Sequence, residues 1–234
     1  MAALGSDHIV KSYDDELKHL RDIIVTMGRM ASEEMLAALQ ALTEQDTDLA
    51  SRVIADDNQV DTADHQINEL TVRLLALRSP VADDLRMVVA ILKMASELER
   101  VADLAVNIAK RSIILSQFPL LPPVHGIVRM GEAVVKLVEE VVTAFAGSDV
   151  NGALTVWERD LEVDDQCSAL FRELLTYMME DPRNITTCSH LMFIAKNIER
   201  VGDHATNIAE TIHYQVIGEA LRAQRPKGDT SSFQ

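Results

Sequence analysis

The chain has 234 residues, with 22 basic against 37 acidic side chains and a formal net charge of −15, which argues against the clustered Lys and Arg that a nucleic-acid backbone demands. Hydrophobic residues make up 47% and charged residues 25%, while aromatics are 4% and Gly (9) and Pro (6) are scarce, a globular composition that favours packed helices over sheet. Cys167 and Cys188 are the only cysteines, so no disulfide framework or thiolate metal site is implied and both are expected as buried free thiols.

At the N-terminus, Met1-Ala2-Ala3-Leu4-Gly5-Ser6-Asp7 has no basic stretch followed by an apolar core, so no secretory signal is predicted there. No apolar run reaches bilayer length, and Met87–Met94 is interrupted by Lys93. A cytoplasmic location is the expectation.

The first helix is predicted over Asp7–Glu44 and the second over Thr47–Leu77. Arg78-Ser79-Pro80 breaks the chain. Ser79 is placed to cap a third helix, and Pro80 suits its first turn, where no N–H is needed. That helix runs to about Gln117, and Phe118-Pro119-Leu120-Leu121-Pro122-Pro123 ends it, since prolines cannot continue a helix. A fourth helix follows over Val124–Ala146, Gly147-Ser148-Asp149 turns the chain, and a fifth reaches Glu180. Asp181-Pro182 opens the sixth, which extends to about Leu221. Residues 223–234 hold Pro, Lys, Gly, Asp, Thr and Ser and read as a disordered tail.

The sequence repeats. Glu99-Arg100-Val101-Ala102-Asp103-Leu104-Ala105-Val106-Asn107-Ile108-Ala109 returns 100 residues later as Glu199-Arg200-Val201-Gly202-Asp203-His204-Ala205-Thr206-Asn207-Ile208-Ala209, identical at eight of eleven positions. Met27-Gly28 matches Met130-Gly131, Asp46 matches Asp149, and Val60-Asp61 matches Val163-Asp164, each 103 apart. The expected fold is all-α, with six helices in two pseudo-symmetric three-helix bundles over residues 1–118 and 122–222.

Each half also carries two acidic pairs four residues apart: Asp57/Asp61 and Glu99/Asp103, then Asp160/Asp164 and Glu199/Asp203. Like charges at that spacing cost a helix about 0.2–0.5 kcal/mol per pair. Four carboxylates brought together raise one another's pKa unless a cation neutralises them. Hard cations take oxygen ligands, and iron also accepts carboxylates. On a helical projection Glu99, Asp103 and Asn107 flank the apolar stripe, while Lys93, Glu97 and Arg100 turn toward solvent. The plainer alternative is a solvated face held by Arg100 and Arg200, or a docking surface for basic partners.

Other signals are weaker. Glu16-Leu17-Lys18-His19 is a Glu-x-x-His, the unit of carboxylate-bridged metal bundles, but it has no counterpart in the second half. His204 faces Leu104 in the repeat and reads as incidental. Met27, Met30, Met35, Met87, Met94, Met178, Met179 and Met192 read as core filler. Phosphate loops, nucleophile–base motifs and zinc-finger spacings are not found.

The two Glu-Arg-Val-x-Asp segments resemble the paired E(D)xxxD motifs of the PhoU family, the bacterial phosphate-transport accessory and regulatory proteins. Met27-Gly28, Gln45-Asp46-Thr47-Asp48-Leu49-Ala50, Ala82-Asp83-Asp84-Leu85-Arg86 and Leu175–Asp181 extend the resemblance from about Ser12 to Ile217. It implies two three-helix bundles with pseudo-twofold symmetry. It implies metal (iron, zinc, magnesium or manganese) at Glu99, Asp103, Glu199 and Asp203, with Asp57, Asp61, Asp160 and Asp164 beside them. It further implies a non-enzymatic negative regulator of the phosphate-starvation response. Such a protein links the ATPase of the phosphate ABC transporter to a sensor histidine kinase, is often a homodimer, and meets the membrane only through partners. The rival reading is a carboxylate-bridged metalloenzyme of helical-bundle type.

Overall fold

The computed structural model describes residues 3–221, with side chains from Tyr13 onward. The predicted tail lies outside the described residues. Within them the chain is helical and holds no strand. The helices are α1 (Ala3–Glu44), α2 (Thr47–Asp56), α3 (Asn58–Arg78), α4 (Ala82–Leu115), α5 (Val124–Gly147), α6 (Val150–Glu180) and α7 (Ile185–Ile217), with a short 3₁₀ turn over Pro182–Asn184.

This is the six-helix plan with its second helix broken. Asp57 keeps helical angles, φ −48 and ψ −32. The side-chain amide of Asn58, however, donates to the carbonyl of Ala55 at 3.1 Å, taking an acceptor that the helix ladder uses. The break therefore falls on a residue of the acidic strip.

The repeat extends to backbone detail. Gln45 and Ser148, 103 apart, both end their helices in the left-handed region, at φ 54 and 52. The next residues, Asp46 and Asp149, are extended at φ −84 and −88 and cap α2 and α6. Asp46 Oδ1 accepts from the amides of Asp48 and Leu49, each at 2.9 Å, and Asp149 Oδ1 accepts from Gly152 N at 3.0 Å. Each carboxylate satisfies amides that the first turn leaves orphaned. Asp46→Ala and Asp149→Ala should each cost about 1 kcal/mol, read by urea unfolding.

Two boundaries differ from expectation. Ser79 ends α3 in the left-handed conformation at φ 47, its amide bonded to Leu75 O, and α4 starts three residues later without a side-chain cap. The chain thus needs a tight stop here more than a new N-cap. The last helix stops at Ile217, four residues short of Leu221, because Gly218 takes φ 81 and closes it.

Packing joins the halves closely. α2 and α3 lie on α1 and α4, and α6 lies on α5 and α7; α1 also packs on α5, and α4 on α7. Both cross-half pairs run antiparallel. Along α4 and α7, Arg86 donates to Gln215 O, Glu97 meets His204, and Arg111 meets His190. Between α1 and α5 the approach needs glycine. A Cβ on Gly28 would lie 2.5 Å from Val142 Cγ2, and one on Gly131 would lie 2.5 Å from Leu39 Cδ1. Residues 28 and 131, and 39 and 142, are the same two positions exchanged by the pseudo-twofold.

The core is correspondingly continuous. Met27, Ile91 and Leu98 from one half and Ile127, Met130 and Ile194 from the other are fully buried in one cluster. Cys167 and Cys188 are buried and free, and burial pushes the Cys167 thiol up to about 12. Of the methionines expected inside, Met179 is the exception at 86% exposed.

Candidate functional site

The first acidic strip is assembled from Asp57 at the α2–α3 break, Asp61 in the first turn of α3, and Glu99 and Asp103 on α4. The fold brings all four within electrostatic reach. Burial, then Asp61 and Asp103, push the Asp57 carboxyl up, with Lys110 pulling the other way. Burial, then Asp103, raise Glu99, with Asp61 and Asp64 adding to it and Arg100 opposing. Asp57 and Glu99 are half-buried, whereas Asp61 and Asp103 are exposed. The strip lies at the edge of the apolar stripe, as the helical projection predicts.

Sequence reasoning missed a fifth acid. Glu34 on α1 is only 9% exposed, and its Oε2 is buried without a hydrogen-bond partner. Burial, then the charges of Asp57, Asp56 and Asp61, push it up to about 7. It borders a groove lined by Met30, Leu49, Val53, Arg52 and Asp56; Arg52 makes no ion pair among the described residues. The signal was present: Glu34 interrupts the stripe Ile24, Met27, Ala31, Ala38 and Leu42, all buried. Its repeat partner, 103 residues on, is Leu137.

The second strip is built differently. Asp160 on α6 is 1% exposed and presses against Gly202, where a Cβ would collide with its Oδ1. The corresponding residue of the first half is Ala102, and there the matching Asp57 is half-buried. Glu199 is raised chiefly by burial, with Asp203 and Asp164 adding, but Lys196 opposes. Lys196 Nζ lies 2.7 Å from Glu199 Oε1. Burial works against that ammonium, yet its bond to Glu199 and the nearby Asp203 outweigh it and raise its pKa. The first half has Ser96 at this place.

An all-carboxylate set is the donor chemistry of hard cations. Among the described residues, no three His, Cys, Asp or Glu side chains are disposed, as they stand, to hold one ion. In the first strip the orphaned, buried Glu34 oxygen is the feature that fits a cation. In the second, the ammonium of Lys196 already meets the carboxylate.

Two expectations about single residues change. Glu97 does not face solvent: its Oε2 meets His204 Nδ1 at 2.6 Å and accepts from Asn207 Nδ2 at 3.1 Å across the α4–α7 seam. Burial opposes its ionisation, but the two bonds outweigh this and hold the carboxyl low. His204 and Asn207 therefore serve the junction between halves. Glu16 of the Glu-x-x-His segment is bound to Arg78 at 2.9 Å, away from both strips.

The PhoU domain model matches residues 24–112 and again 127–212, the two halves described above. The chain is similar to the phosphate-specific transport system accessory protein PhoU homolog of Caulobacter vibrioides, at 47% identity over 97% of this chain and 99% of that one. It is similar to the homolog from Xylella fastidiosa at 44%, over 96% and 93% of the two chains. The fold superposes on the crystal structure of PhoU from Pseudomonas aeruginosa with a TM-score of 0.85 and 38% identity, covering 88% of this chain and all of that one. For the phosphate transport system regulatory protein PhoU from Streptococcus pneumoniae the TM-score is 0.84, at 28% identity and 90% coverage of this chain.

Proposed function

The chain belongs to the PhoU family, and from that premise we propose that it is an accessory regulator of phosphate transport that holds the phosphate-starvation response down. In this reading it is a non-catalytic adaptor between the ATPase subunit of the phosphate ABC transporter and a sensor histidine kinase. It works at the cytoplasmic side, as a homodimer, and reaches the membrane through those partners. The observation that carries the proposal is the match of both repeats over nearly the whole length of a transport accessory protein. Among the described residues no helix is long and apolar enough to cross a membrane, in keeping with attachment through partners.

Deleting the gene in its host should switch on phosphate-starvation genes in phosphate-replete medium, measured by transcript abundance. Full repression in the deletion strain would refute the proposal.

The acidic strips take metal in this reading. The carboxylates of Asp57, Asp61, Glu99 and Asp103 would hold a hard cation, which supplies the charge that keeps α2–α3 and α4 together. A second reading has the strips dock basic patches on partners. The Lys196–Glu199 contact favours it for the second strip, since that carboxylate already accepts an ammonium.

A further inference from the structure

We propose that the groove between α1 and α2 is a receptor for one arginine side chain of a partner protein, with Glu34 as the carboxylate that meets it. This gives the adaptor reading above a point of contact, and it rests on that reading for the partner.

The groove has a volume of about 220 Å³, below the ~300–1,000 Å³ of sites that take a drug-sized ligand and suited to a single long side chain. Met30, Ala37, Leu49 and Val53 give it apolar walls. Glu34 is among its lining residues and is nine-tenths buried, with an Oε2 that has no hydrogen-bond partner. A buried carboxylate oxygen left unsatisfied is costly. Glu33, Arg52 and Asp56 complete the charged lining. Glu33 is already paired with Arg29 at 2.7 Å, while Arg52 and Asp56 are exposed, where water serves them. The unmet demand in the groove is therefore for a cation.

The second half shows which cation. Its equivalent groove, between α5 and α6, is lined by Ala133, Leu137, Arg159 and Glu162, each 103 residues on from Met30, Glu34, Asp56 and Gln59 of the first. The volume there is about 10 Å³. From α6, Arg159 Nη1 donates to Glu140 Oε2 on α5 at 2.5 Å, and each side chain is about one-third exposed. Glu140 stands in the place of Ala37, which is one turn along the same face of α1 from Glu34. The second half thus supplies its own guanidinium to the carboxylate. The first half keeps a carboxylate, more deeply buried, and has Asp56 where the guanidinium would originate. A planar, weakly hydrated guanidinium suits a buried carboxylate better than an ammonium does, and its aliphatic stem can lie along the apolar walls.

The test uses the full chain with isotope-labelled methionine methyls and N-acetyl-arginine amide as the probe, followed by NMR. It is run at about pH 8, where the Glu34 carboxyl, pushed up to about 7, is ionised. The Met30 methyl should shift saturably, and that of the exposed Met179 should not move. N-acetyl-citrulline amide, the uncharged analogue, should leave both in place. Glu34→Gln should weaken binding by at least about tenfold, whereas Glu180→Gln should leave it unchanged. Asp56→Arg, which copies Arg159, should fill the groove from within and abolish the response. Circular dichroism shows which variants are folded, and the exposed Asp56 keeps the test open should Glu34→Gln unfold. An unmoved Met30 in the wild type, an equal response to the citrulline probe, or binding that survives Glu34→Gln overturns the proposal. So does an Asp56→Arg variant that binds as the wild type does. Failure of the adaptor reading is separate, since it shows in the deletion strain and not in the titration.

Discussion

Replacing Glu34 with leucine will stabilise the cation-free protein at about pH 8 by about 2 kcal/mol or more. The carboxyl ionises at about 7, against 4.5 for an ordinary glutamate, chiefly because it is buried and secondly because Asp57, Asp56 and Asp61 surround it. A raised carboxyl pKa means that the folded chain keeps a proton that the unfolded chain has lost. Stability therefore falls as pH rises from about 4.5 to about 7, and it is flat above that. The full rise corresponds to about 3 kcal/mol, trimmed by whatever water reaches the group. Leucine stands at the matching position of the second half, where Leu137 is buried, so the fold accommodates it. Urea unfolding in chelator across this range should show a pH slope in the wild type that the variant lacks. Equal slopes would mean that Glu34 carries no unusual proton.

A methyl group on Gly28 is the second large change. Alanine in mid-helix normally gains about 0.5–1 kcal/mol over glycine. Here its Cβ would sit 2.5 Å from Val142 Cγ2 and 3.2 Å from Val142 Cβ. Valine is stiff at its first torsion, and a close-packed seam yields little, so a net loss of about 1–3 kcal/mol is expected. For a chain of this size, each kcal/mol moves the melting temperature by about 2–4 °C. Gly131→Ala should cost less, because it meets the two Cδ methyls of Leu39, which can swing. Val142→Ala added to Gly28→Ala should recover part of the loss, and a double variant no more stable than Gly28→Ala would show that the seam is not where the methyl is felt.

Much of this architecture was legible because its signals are local. Prolines 119, 122 and 123, the Gly147-Ser148-Asp149 turn, and the spacing of the acidic pairs act within a turn or two of themselves. The repeat then supplied the symmetry. What stayed hidden depends on partners distant in sequence. Glu97 looked solvent-facing on its own helix, and only the antiparallel α7 brings His204 and Asn207 to it. Ser79 has the chemistry of an N-cap, and the tight left-handed stop of α3 overrode it. Glu34 was visible as an acid within an apolar stripe, but its meaning needed Asp57 and Asp61 to be placed beside it.

The antiparallel seam has one more consequence. It puts the α3–α4 turn at one end of the molecule and the matching α6–α7 turn at the other. Val72, Leu77 and Val81 are exposed at the first, and Leu175, Met179 and Ile185 at the second. α4 has 34 residues, so these tips stand about 50 Å apart. Ions in the cell damp a charge over about 8 Å. Two proteins bound at opposite tips are thus electrically blind to each other, and any influence between them must travel mechanically, along α4 and α7.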